Sequence, residues 1–437
     1  MKKLVLIIPV LIVIAIPLLL LMLSATPVVK MDPPVKVVGM ETPVRVQVQG
    51  SHGFRAVTAY LEQAGQRHKV YELSQPATRI FFLRKHVPPR EVAFTAGKKQ
   101  VPALQDGKAR LVVEAVSNDL RGSSAVVTSD VDVNTRPLTI AADAAQHYIN
   151  QGGSELVAFS VSGYWAEAGV RVGKYTFRSF QMPGKGEGER FSLFAFPWDT
   201  PADTVPVVYA RNPSGAEVTG RFWYKLFPKS FRKRDLKITD DFLQRVVNQI
   251  DHGAPGDIVE RFLHINRDMR KENNQALSDL RLKTADKFLW SGPFLQLGNS
   301  KVESQFADER SYIYNGKKID QQMHLGFDLS VVKNVAVVAS NSGKVVHASD
   351  LGIYGNCIVV DHGYGLQSIY GHLSHIGVKV GDDVKKGQEM GKSGATGLAG
   401  GDHLHYSMQV DGVQVNPVEW FDEHWIKDRI LSKLPAQ

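Results

Sequence analysis

Four side chains in the carboxyl-terminal third of the chain have the types and the spacing that suit a metal ion. His324 and Asp328 are four positions apart, and His403 and His405 are two positions apart. Side chains two or four residues apart on a strand project from the same face, so each pair can point together. Gly326 argues against a helix within the first pair. Zinc accepts imidazole nitrogen and carboxylate oxygen, and the two pairs therefore predict a zinc site.

The number of protein ligands determines what such a site can do. Three ligands leave one corner of a zinc tetrahedron to water, which is the catalytic arrangement, whereas four ligands close the site and stabilise the fold. His372 supplies a further histidine from a different predicted strand. Each spacing alone is common in long chains, and a lone pair of this kind is more often a surface or core feature. All of them together, in one glycine-rich segment of short strands, predict a functional site.

Further short motifs accompany the histidines. They are His324-Leu-Gly-Phe-Asp328, Gly355-Asn356, Asp361-His-Gly-Tyr-Gly365, Tyr370-Gly-His372-Leu, Val380-Gly-Asp-Asp-Val-Lys-Lys-Gly-Gln388, Thr396-Gly397, His403-Leu-His405-Tyr and Val415-Asn-Pro417. In this order they resemble the zinc metallopeptidases of the lysostaphin and LytM type, which cleave peptide bonds in bacterial peptidoglycan. The resemblance covers residues 291–425. It implies a compact, mostly antiparallel β domain, which agrees with the short β-branched runs and frequent turns of this segment.

The resemblance implies a role for each polar position. His324, Asp328 and His405 match the three zinc ligands of the family. His403 and His372 match the two histidines that face the bound water and the scissile carbonyl. We expect His403 to be the general base and His372 to orient the substrate or stabilise the oxyanion, and the exchange of these two roles is open. Bound zinc lowers the pKa of water from about 15.7 toward 7 and polarises the carbonyl.

The chain departs from the family pattern at the oxyanion. Family members often have a tyrosine a few residues before the first ligand to support this charge. Here the nearest are Tyr312 and Tyr314, which lie further upstream, so neither is assigned the role. Cys357, which follows the Gly-Asn motif, is also unusual, and we expect it to be a small buried hydrophobe.

The resemblance also implies an activity. We expect a zinc-dependent endopeptidase that hydrolyses the stem-peptide cross-links of peptidoglycan. A predicted membrane anchor, without a recognisable wall-binding module after residue 425, favours cross-links between D-alanine and diaminopimelate over pentaglycine. The alternative is a non-catalytic peptidoglycan-binding activator of another cell-wall hydrolase. Relatives of that kind have lost zinc ligands, whereas this chain has all five polar positions.

Other functional classes fit the sequence less well. The turn at 380–388 resembles a hairpin of lipoyl and biotinyl carriers, but carriers need an exposed lysine at a hairpin tip and have no clustered histidines. A complete phosphate loop would require glycine at Lys386, and a GxSxG elbow around Ser393 fails at Ala395. The sequence contains no HExxH motif. These observations argue against a carrier, a nucleotide-binding protein and a serine hydrolase.

The first residues predict a membrane anchor. Every side chain over residues 4–23 is apolar, and about 20 residues at a rise of 1.5 Å span the roughly 30 Å hydrocarbon core. Lys2 and Lys3 precede this run, so the positive-inside rule keeps the amino terminus in the cytoplasm. A cleaved signal peptide is the alternative, but the run is long for one and Leu23 is bulky for a cut after Ala25. We predict a single-pass anchor over residues 1–25 in the inner (cytoplasmic) membrane, with the body in the periplasm or extracytoplasmic space.

Composition describes an ordinary globular protein. The chain has 437 residues, of which 43% are hydrophobic and 22% charged, so whole-chain disorder is excluded. The net charge of +8 permits attraction to anionic walls or phospholipids, and we expect no nucleic-acid partner. The single cysteine, Cys357, excludes an intramolecular disulfide and a thiolate metal cluster. Histidine and carboxylate must therefore hold any metal.

Hydrophobic periodicity divides the body into four parts. The alternation of Val44, Val46 and Val48 with polar residues predicts a β-sandwich-like module over 36–140, and a second β-rich module follows over 141–237. Apolar residues at helical spacing predict a helical connector over 238–290, before the zinc peptidase domain at 291–425. The overall class is mainly β. Three roles are open for the upstream modules: spacing from the membrane, positioning on the wall, or covering the groove until a protein regulator releases it.

Overall fold

The computed structural model describes residues 24–77, 87–119, 121–213, 215–251 and 255–435, together with 15–16, 18–19 and 21–22. The predicted anchor over residues 1–25 lies largely outside this described part. Within the described part, no helix combines the length and the apolar character that crossing a bilayer requires. Strands dominate, which confirms the mainly β class. The chain divides into two compact units, the first formed by 1–139 with 162–166 and 211–217, and the second by the remaining residues.

The described residues of the first unit form two sheets around one apolar core. Its strands are β1 (Val28–Met31), β2 (Val37–Val38), β3 (Thr42–Gln49), β4 (Phe54–Gln63), β5 (Gln66–Ser74), β6 (Arg90–Ala96), β7 (Gly107–Ser117) and β8 (Ser124–Val133). The strand orders are β1-β3-β6 and β2-β8-β7-β4-β5. Strand β3 buries every second side chain, and Val44 and Val46 share a core with Leu61 and Val113 of the larger sheet. The alternating buried side chains of the two sheets therefore pack against each other, and the sheets form a sandwich.

The second unit begins with another β module, although four of its strand ends (Thr139, Ser162, Arg211 and Glu217) are assigned to the first unit. Its strands are β9 (Thr139–Ala142), β10 (His147–Asn150), β11 (Ser154–Ser162), β12 (Glu167–Val172), β13 (Tyr175–Arg178), β14 (Phe180–Gln181), β15 (Glu189–Ala195), β16 (Val207–Arg211), β17 (Glu217–Gly220) and β18 (Tyr224–Phe227). They form the sheets β14-β15-β11-β9 and β13-β12-β16-β17 and the pair β10-β18. Buried aromatic rings, among them Phe177 and Phe194 with centroids 6.4 Å apart, fill the interior.

Helices follow in the segment where the apolar period changes. After β19 (Lys233–Lys237) come α1 (Asp240–Ile250), α2 (Ile258–His264), a π-helical turn (Ile265–Met269), α3 (Arg270–Asp279) and a 3-10 turn (Leu280–Leu282). Thr239 caps α1 by accepting from the Phe242 N–H at 3.3 Å. Buried residues of these helices, such as Phe262 and Leu277, share one apolar cluster with Tyr354 and other residues further along the chain. This packing places α3 beside the candidate site.

The last part of the second unit is a β domain. Its elements are β20 (Lys301–Ser304), β21 (Asp308–Tyr314), β22 (Lys317–His324), β23 (Phe327–Ser330), β24 (Ala336–Val338), β25 (Gly343–Asp350), a 3-10 turn (Gly352–Tyr354), β26 (Asn356–Asp361), β27 (Leu366–Leu373), β28 (His375–Ile376), β29 (Asp383–Val384), β30 (Glu389–Lys392), β31 (His403–Val410), β32 (Val413–Val415), a 3-10 turn (Pro417–Phe421), α4 (Glu423–Trp425), a π-helical turn (Ile426–Ile430) and a 3-10 turn (Leu431–Lys433). The main sheet has the order β20-β23-β31-β27-β26-β25-β29, with β32 on β31, and smaller sheets are β19-β21-β22 and β24-β30-β28. Strand β31 is therefore central, between β23 and β27.

Buried polar contacts join this β domain to the β module at the start of the second unit. The Glu419 carboxylate accepts from the Ser154 N–H at 2.8 Å and from Asn150 Nδ2 at 2.9 Å. Lys433 Nζ donates to Glu155 Oε1 at 2.7 Å, and both side chains are buried. These contacts satisfy charges that would otherwise be costly to bury, so they hold the two parts in one arrangement.

Candidate metal centre

Three strands bring the predicted metal ligands together. His324 ends β22, Asp328 lies in β23, and His405 lies in the central strand β31. Asp328 and His405 are direct partners in the antiparallel register of β23 and β31. The connection between β22 and β23 passes close to the His405 ring and needs glycine at position 326, because a Cβ there would lie 2.7 Å from Cε1 of that ring. The short sequence from His324 to Asp328 therefore positions two ligands against a third from a distant segment.

The three ligand atoms have the separations of a tetrahedral zinc site. His324 Nε2 lies 3.0 Å from Asp328 Oδ1 and 3.1 Å from His405 Nδ1, and His405 Nδ1 lies 3.2 Å from Asp328 Oδ1. Zinc bonds of 2.0–2.1 Å in a tetrahedron imply ligand separations of about 3.3 Å. The described residues offer this group of one carboxylate and two imidazoles as a candidate site for a metal ion.

Hydrogen bonds to backbone carbonyls fix the orientation of three imidazoles. His324 Nδ1 donates to the Gln305 carbonyl at 3.0 Å, His372 Nδ1 to the Thr396 carbonyl at 2.8 Å, and His403 Nδ1 to the Gly401 carbonyl at 2.8 Å. A carbonyl can only accept, so Nδ1 carries the proton and Nε2 of each neutral ring keeps its lone pair. These backbone contacts are of the outer-shell kind that orients metal-binding histidines.

The donor set fits a cation. In the neutral tautomer of His324, the Nε2 lone pair points at an oxygen of Asp328 that also offers lone pairs, at 3.0 Å. Such a contact is repulsive unless a proton or a metal ion lies between the atoms. His405 presents Nδ1 to the same point, and its Nε2 is buried without a hydrogen-bond partner among the described residues. The residues present therefore fit a zinc ion by both chemistry and spacing.

Burial and mutual charge set the protonation of these groups. Burial lowers the pKa of His324, and it lowers the pKa of His405 to about 4. Burial also holds the pKa of His372 well below its usual value, helped by the charges of His403 and His405. Burial alone would raise the pKa of Asp328, but contacts with His324, His403 and His405 hold it well below its usual range. Neutral imidazoles and an ionised carboxylate are the forms that bind metals.

The two remaining histidines lie next to the ligand group. His403 Nε2 is 3.4 Å from Asp328 Oδ1, and the ring centroids of His372 and His403 are 4.8 Å apart. His372 has a φ of 64°, a left-handed conformation that costs free energy for a residue with a Cβ and is often found at functional positions. Both rings line the cavity that contains the three candidate ligands. The structure thus brings all five predicted site residues together.

Sequence reasoning missed several residues of this cavity. Arg310 Nη2 donates to Asp328 Oδ2 at 2.5 Å, and no motif spacing pointed to it. Tyr354 packs against the His405 ring with centroids 5.4 Å apart, and its hydroxyl donates to Asn274 Oδ1 at 2.8 Å. Arg270 of α3 also lines the cavity. Arg270 and Asn274 lie in the helical connector, so only the packing of α3 on the β domain could reveal them.

The two tyrosines considered for the oxyanion have different positions. Tyr312 is buried and lines the cavity. Tyr314 instead donates its hydroxyl hydrogen to Asp240 Oδ1 at 2.6 Å, at the amino-terminal end of α1. Residues two positions apart on a regular strand face the same side. A register shift between Tyr312 and Ile313 interrupts this regularity, so Tyr312 and Tyr314 can have different environments. Tyr312 and Tyr354 are therefore the tyrosines of the cavity.

Comparison with known proteins identifies the domain. Residues 322–417 match Peptidase family M23. The carboxyl-terminal part of the chain is a peptidase family M23 domain, which confirms the resemblance to lysostaphin and LytM type enzymes. The matched segment contains all five polar site residues and lacks the first 321 residues of the chain.

Individual relatives share this segment. The peptidoglycan DD-endopeptidase ShyA of Vibrio cholerae is 40% identical over 96 residues, which are 22% of this chain and 22% of that protein. The DD-carboxypeptidase/endopeptidase Mpg of Neisseria meningitidis is 35% identical over 97 residues, again 22% of each. The chain thus spans less than a quarter of the length of these relatives. A solved putative peptidase M23 from Pseudomonas aeruginosa has a TM-score of 0.37 and 20% identity, covering 62% of this chain and 94% of that one.

Proposed function

We propose that this protein is a zinc-dependent endopeptidase that hydrolyses peptide cross-links of bacterial peptidoglycan. The observation that carries the proposal is the group formed by His324 Nε2, Asp328 Oδ1 and His405 Nδ1, with separations of 3.0–3.2 Å. The family M23 match supports a metallopeptidase, the name of ShyA supports peptidoglycan as the substrate, and the names of ShyA and Mpg both support endopeptidase activity. The cleavage of D,D cross-links is favoured over glycyl-glycine bonds for the same reason.

The five site residues are proposed to have different roles in hydrolysis. His324, Asp328 and His405 would hold zinc, which when bound supplies an activated water and a polarised carbonyl. His403 and His372 carry their protons on Nδ1, so Nε2 of each can accept a proton within the cavity. Either ring can therefore be the general base, and the other can orient the substrate or, once protonated, stabilise the oxyanion. The assignment of His403 as base and His372 as its partner stays a prediction.

Digestion of purified sacculi tests this proposal. Incubation with the zinc-loaded full chain, followed by mass analysis of the released muropeptides, is expected to show loss of D-alanine–diaminopimelate cross-links. The variant His405→Ala is the matched control, since it removes one ligand. If wild-type protein left the muropeptides of the purified sacculi unchanged, this result would contradict the proposal. Products with cleaved pentaglycine bridges would instead show that the enzyme hydrolyses glycyl-glycine bonds.

The site argues against the non-catalytic alternative. A peptidoglycan-binding activator of another hydrolase needs no ligand set, whereas here five polar side chains converge on one cavity. Residues 1–25 are proposed to anchor the chain in the inner membrane, with the catalytic domain on the extracytoplasmic side, where peptidoglycan lies. A protein regulator acting on the upstream modules is compatible with this arrangement. Removing residues 2–25 is then expected to move the protein from the membrane fraction to the soluble fraction.

A further inference from the structure

A second, larger cavity adjoins the metal-site cavity. Its volume is about 720 Å³, against about 80 Å³ for the cavity that contains the candidate ligands. Arg270, Asn274, Met323 and Leu325 line both cavities, so the two are neighbours separated by shared side chains. Ligand sites in proteins commonly have volumes of about 300–1,000 Å³. The metal-site cavity is too small for a peptide cross-link, and the remainder of a bound substrate requires adjoining space.

The second cavity carries an excess of positive charge. Its lining includes Lys229, Lys233 and Arg270 but a single carboxylate, that of Glu309. Lys233 Nζ lies 3.6 Å from Glu309, so this pair is largely neutral. Lys229 and Arg270 form no ion pair with a carboxylate among the described residues. Two cationic groups are therefore available to an anionic ligand, and charge of one sign in a cleft attracts the opposite sign.

Neighbouring hydrogen bonds hold the guanidinium of Arg270 and the backbone of Lys229 in position. Arg270 donates through Nε to the Asn266 carbonyl at 3.1 Å and through Nη2 to Asn266 Oδ1 at 2.6 Å. The backbone N–H of Lys229 donates to Gln151 Oε1 at 3.1 Å, and Gln151 Nε2 in turn donates to the Trp198 carbonyl at 3.1 Å. The Asn266 contacts orient the Arg270 guanidinium without cancelling its charge, which lowers the entropic cost of binding an anion, whereas the Gln151 contact fixes only the backbone from which the exposed Lys229 side chain extends.

We propose that the second cavity is a subsite for the carboxylate-bearing part of the substrate's stem peptide, with Lys229 and Arg270 binding its free carboxylates. The inference rests on the proposed function, because it extends the substrate from the metal centre. Guanidinium and ammonium groups recognise carboxylates through charge-assisted hydrogen bonds. The half-buried rings of Trp198 and Phe231 provide apolar surface for the aliphatic parts of the peptide. The subsite thus selects anionic over amidated stem peptides.

Substrate discrimination tests the subsite. Two cross-linked muropeptide dimers are compared, one with free carboxylates and one with the same groups amidated. In Lys229→Gln, the ratio of kcat/KM for the free form to that for the amidated form is expected to fall about fivefold, as for loss of one partly exposed ion pair. Lys225→Gln is the matched control, since Lys225 is also exposed, its replacement removes the same charge and it lies outside the cavity lining. An unchanged ratio in Lys229→Gln would overturn the proposal.

A binding measurement separates the subsite from the activity. Titration calorimetry of full-length His403→Ala with a free stem tetrapeptide, and with its amidated form, reads binding without turnover. Tighter binding of the free form that is weakened by adding Lys229→Gln supports the subsite, even if wild-type protein cleaves no peptidoglycan. Cleavage by wild type without this preference overturns the subsite and leaves the proposed function intact. Absence of both cleavage and preference overturns both.

Discussion

The two oxygens of Asp328 face different partners, since Oδ2 accepts from Arg310 Nη2 at 2.5 Å while Oδ1 faces the histidines and lies 3.0 Å from His324 Nε2. Arg310 therefore fixes which oxygen of Asp328 faces the ligand group. The carboxylate is presented as a single-oxygen ligand, and its second oxygen has a cationic partner. Loss of an outer-shell contact of this kind typically lowers metal affinity by about 10–100-fold.

Replacement of Arg310 is expected to weaken zinc binding. In Arg310→Gln, Asp328 loses its charged partner and can rotate, so the zinc affinity should fall by about 10–100-fold. Competition with a chromogenic chelator measures this affinity. Arg267→Gln is the control, because Arg267 Nε makes a similar 3.0 Å contact with Asp320 Oδ1 away from the site. Equal affinities for wild type and Arg310→Gln would show that the contact does not position the ligand.

The glycine between the first two ligands is expected to be essential to the site. A Cβ at Gly326 would lie 2.7 Å from Cε1 and 2.8 Å from Nε2 of His405, distances that real Cβ contacts do not reach. Gly326→Ala should displace the His405 ring and lower the zinc affinity by about tenfold or more. Gly298→Ala is the control, because a Cβ at Gly298 meets no atom within 4 Å. Normal zinc affinity in Gly326→Ala would mean that the ring has room to move.

Replacement of His372 is expected to lower the catalytic rate without lowering the stability of the protein. Its φ of 64° lies in the left-handed region, which asparagine tolerates better than most residues. His372→Asn is therefore expected to keep its stability and its zinc, while kcat falls by about 10²–10⁴ through loss of the imidazole. Single-turnover hydrolysis, metal content and thermal unfolding are measured together. His375→Asn, at an exposed position three residues later, should retain activity. A fully active His372→Asn would remove His372 from the mechanism.

Much of the site could be predicted from the sequence, because strand periodicity and motif order are local properties. The placement of His403 beside His405 follows from the period of one strand, β31. His324 and Asp328 lie instead in β22 and β23, on either side of a break at 325–326, so the motif and not the period of a single strand predicted their pairing. Arg310 could not be found in this way, since its contact with Asp328 depends on how the β21–β22 hairpin packs beside β23. Tertiary packing, which no short spacing encodes, supplies such neighbours.

The broad class of the upstream region could be predicted, but its contacts with the peptidase domain could not. Alternating valines in β3 were sufficient to predict a sheet with one buried face. The approach of Asn274 in α3 to Tyr354 depends instead on apolar packing around residues such as Phe262 and Leu277. Many helix placements satisfy the same apolar pattern, so only the folded chain distinguishes them.

The buried carboxyl group of Glu419 is expected to make stability pH-dependent. Burial raises its pKa from 4.5 to about 7, although Asn150 and Ser154 donate to it. A raised pKa in the folded state means that protonated Glu419 favours folding below about pH 4.5 and that this contribution is lost as the pH rises through 7. The loss between pH 5 and pH 8 should be on the order of 2–3 kcal/mol.

Unfolding of Glu419→Gln measures this contribution. Denaturant unfolding at pH 5 and pH 8 should show a smaller difference between the two pH values in Glu419→Gln than in wild type. Glu423→Gln removes a carboxylate at an exposed position four residues later and should keep the wild-type pH dependence. Identical pH dependence in wild type and Glu419→Gln would show that the carboxyl group ionises freely in the folded protein.

Metal analysis of two histidine variants tests whether His324, Asp328 and His405 hold a catalytic zinc ion. Purified wild-type protein, His405→Ala and His403→Ala are assayed for bound zinc and for release of soluble fragments from sacculi, with and without chelator. Wild-type protein is expected to bind about one zinc per chain and to show chelator-sensitive hydrolysis. His405→Ala is expected to show neither zinc nor hydrolysis, and His403→Ala to bind zinc without turnover. Full hydrolysis by His405→Ala, or by the chelated wild-type protein, would contradict the zinc mechanism.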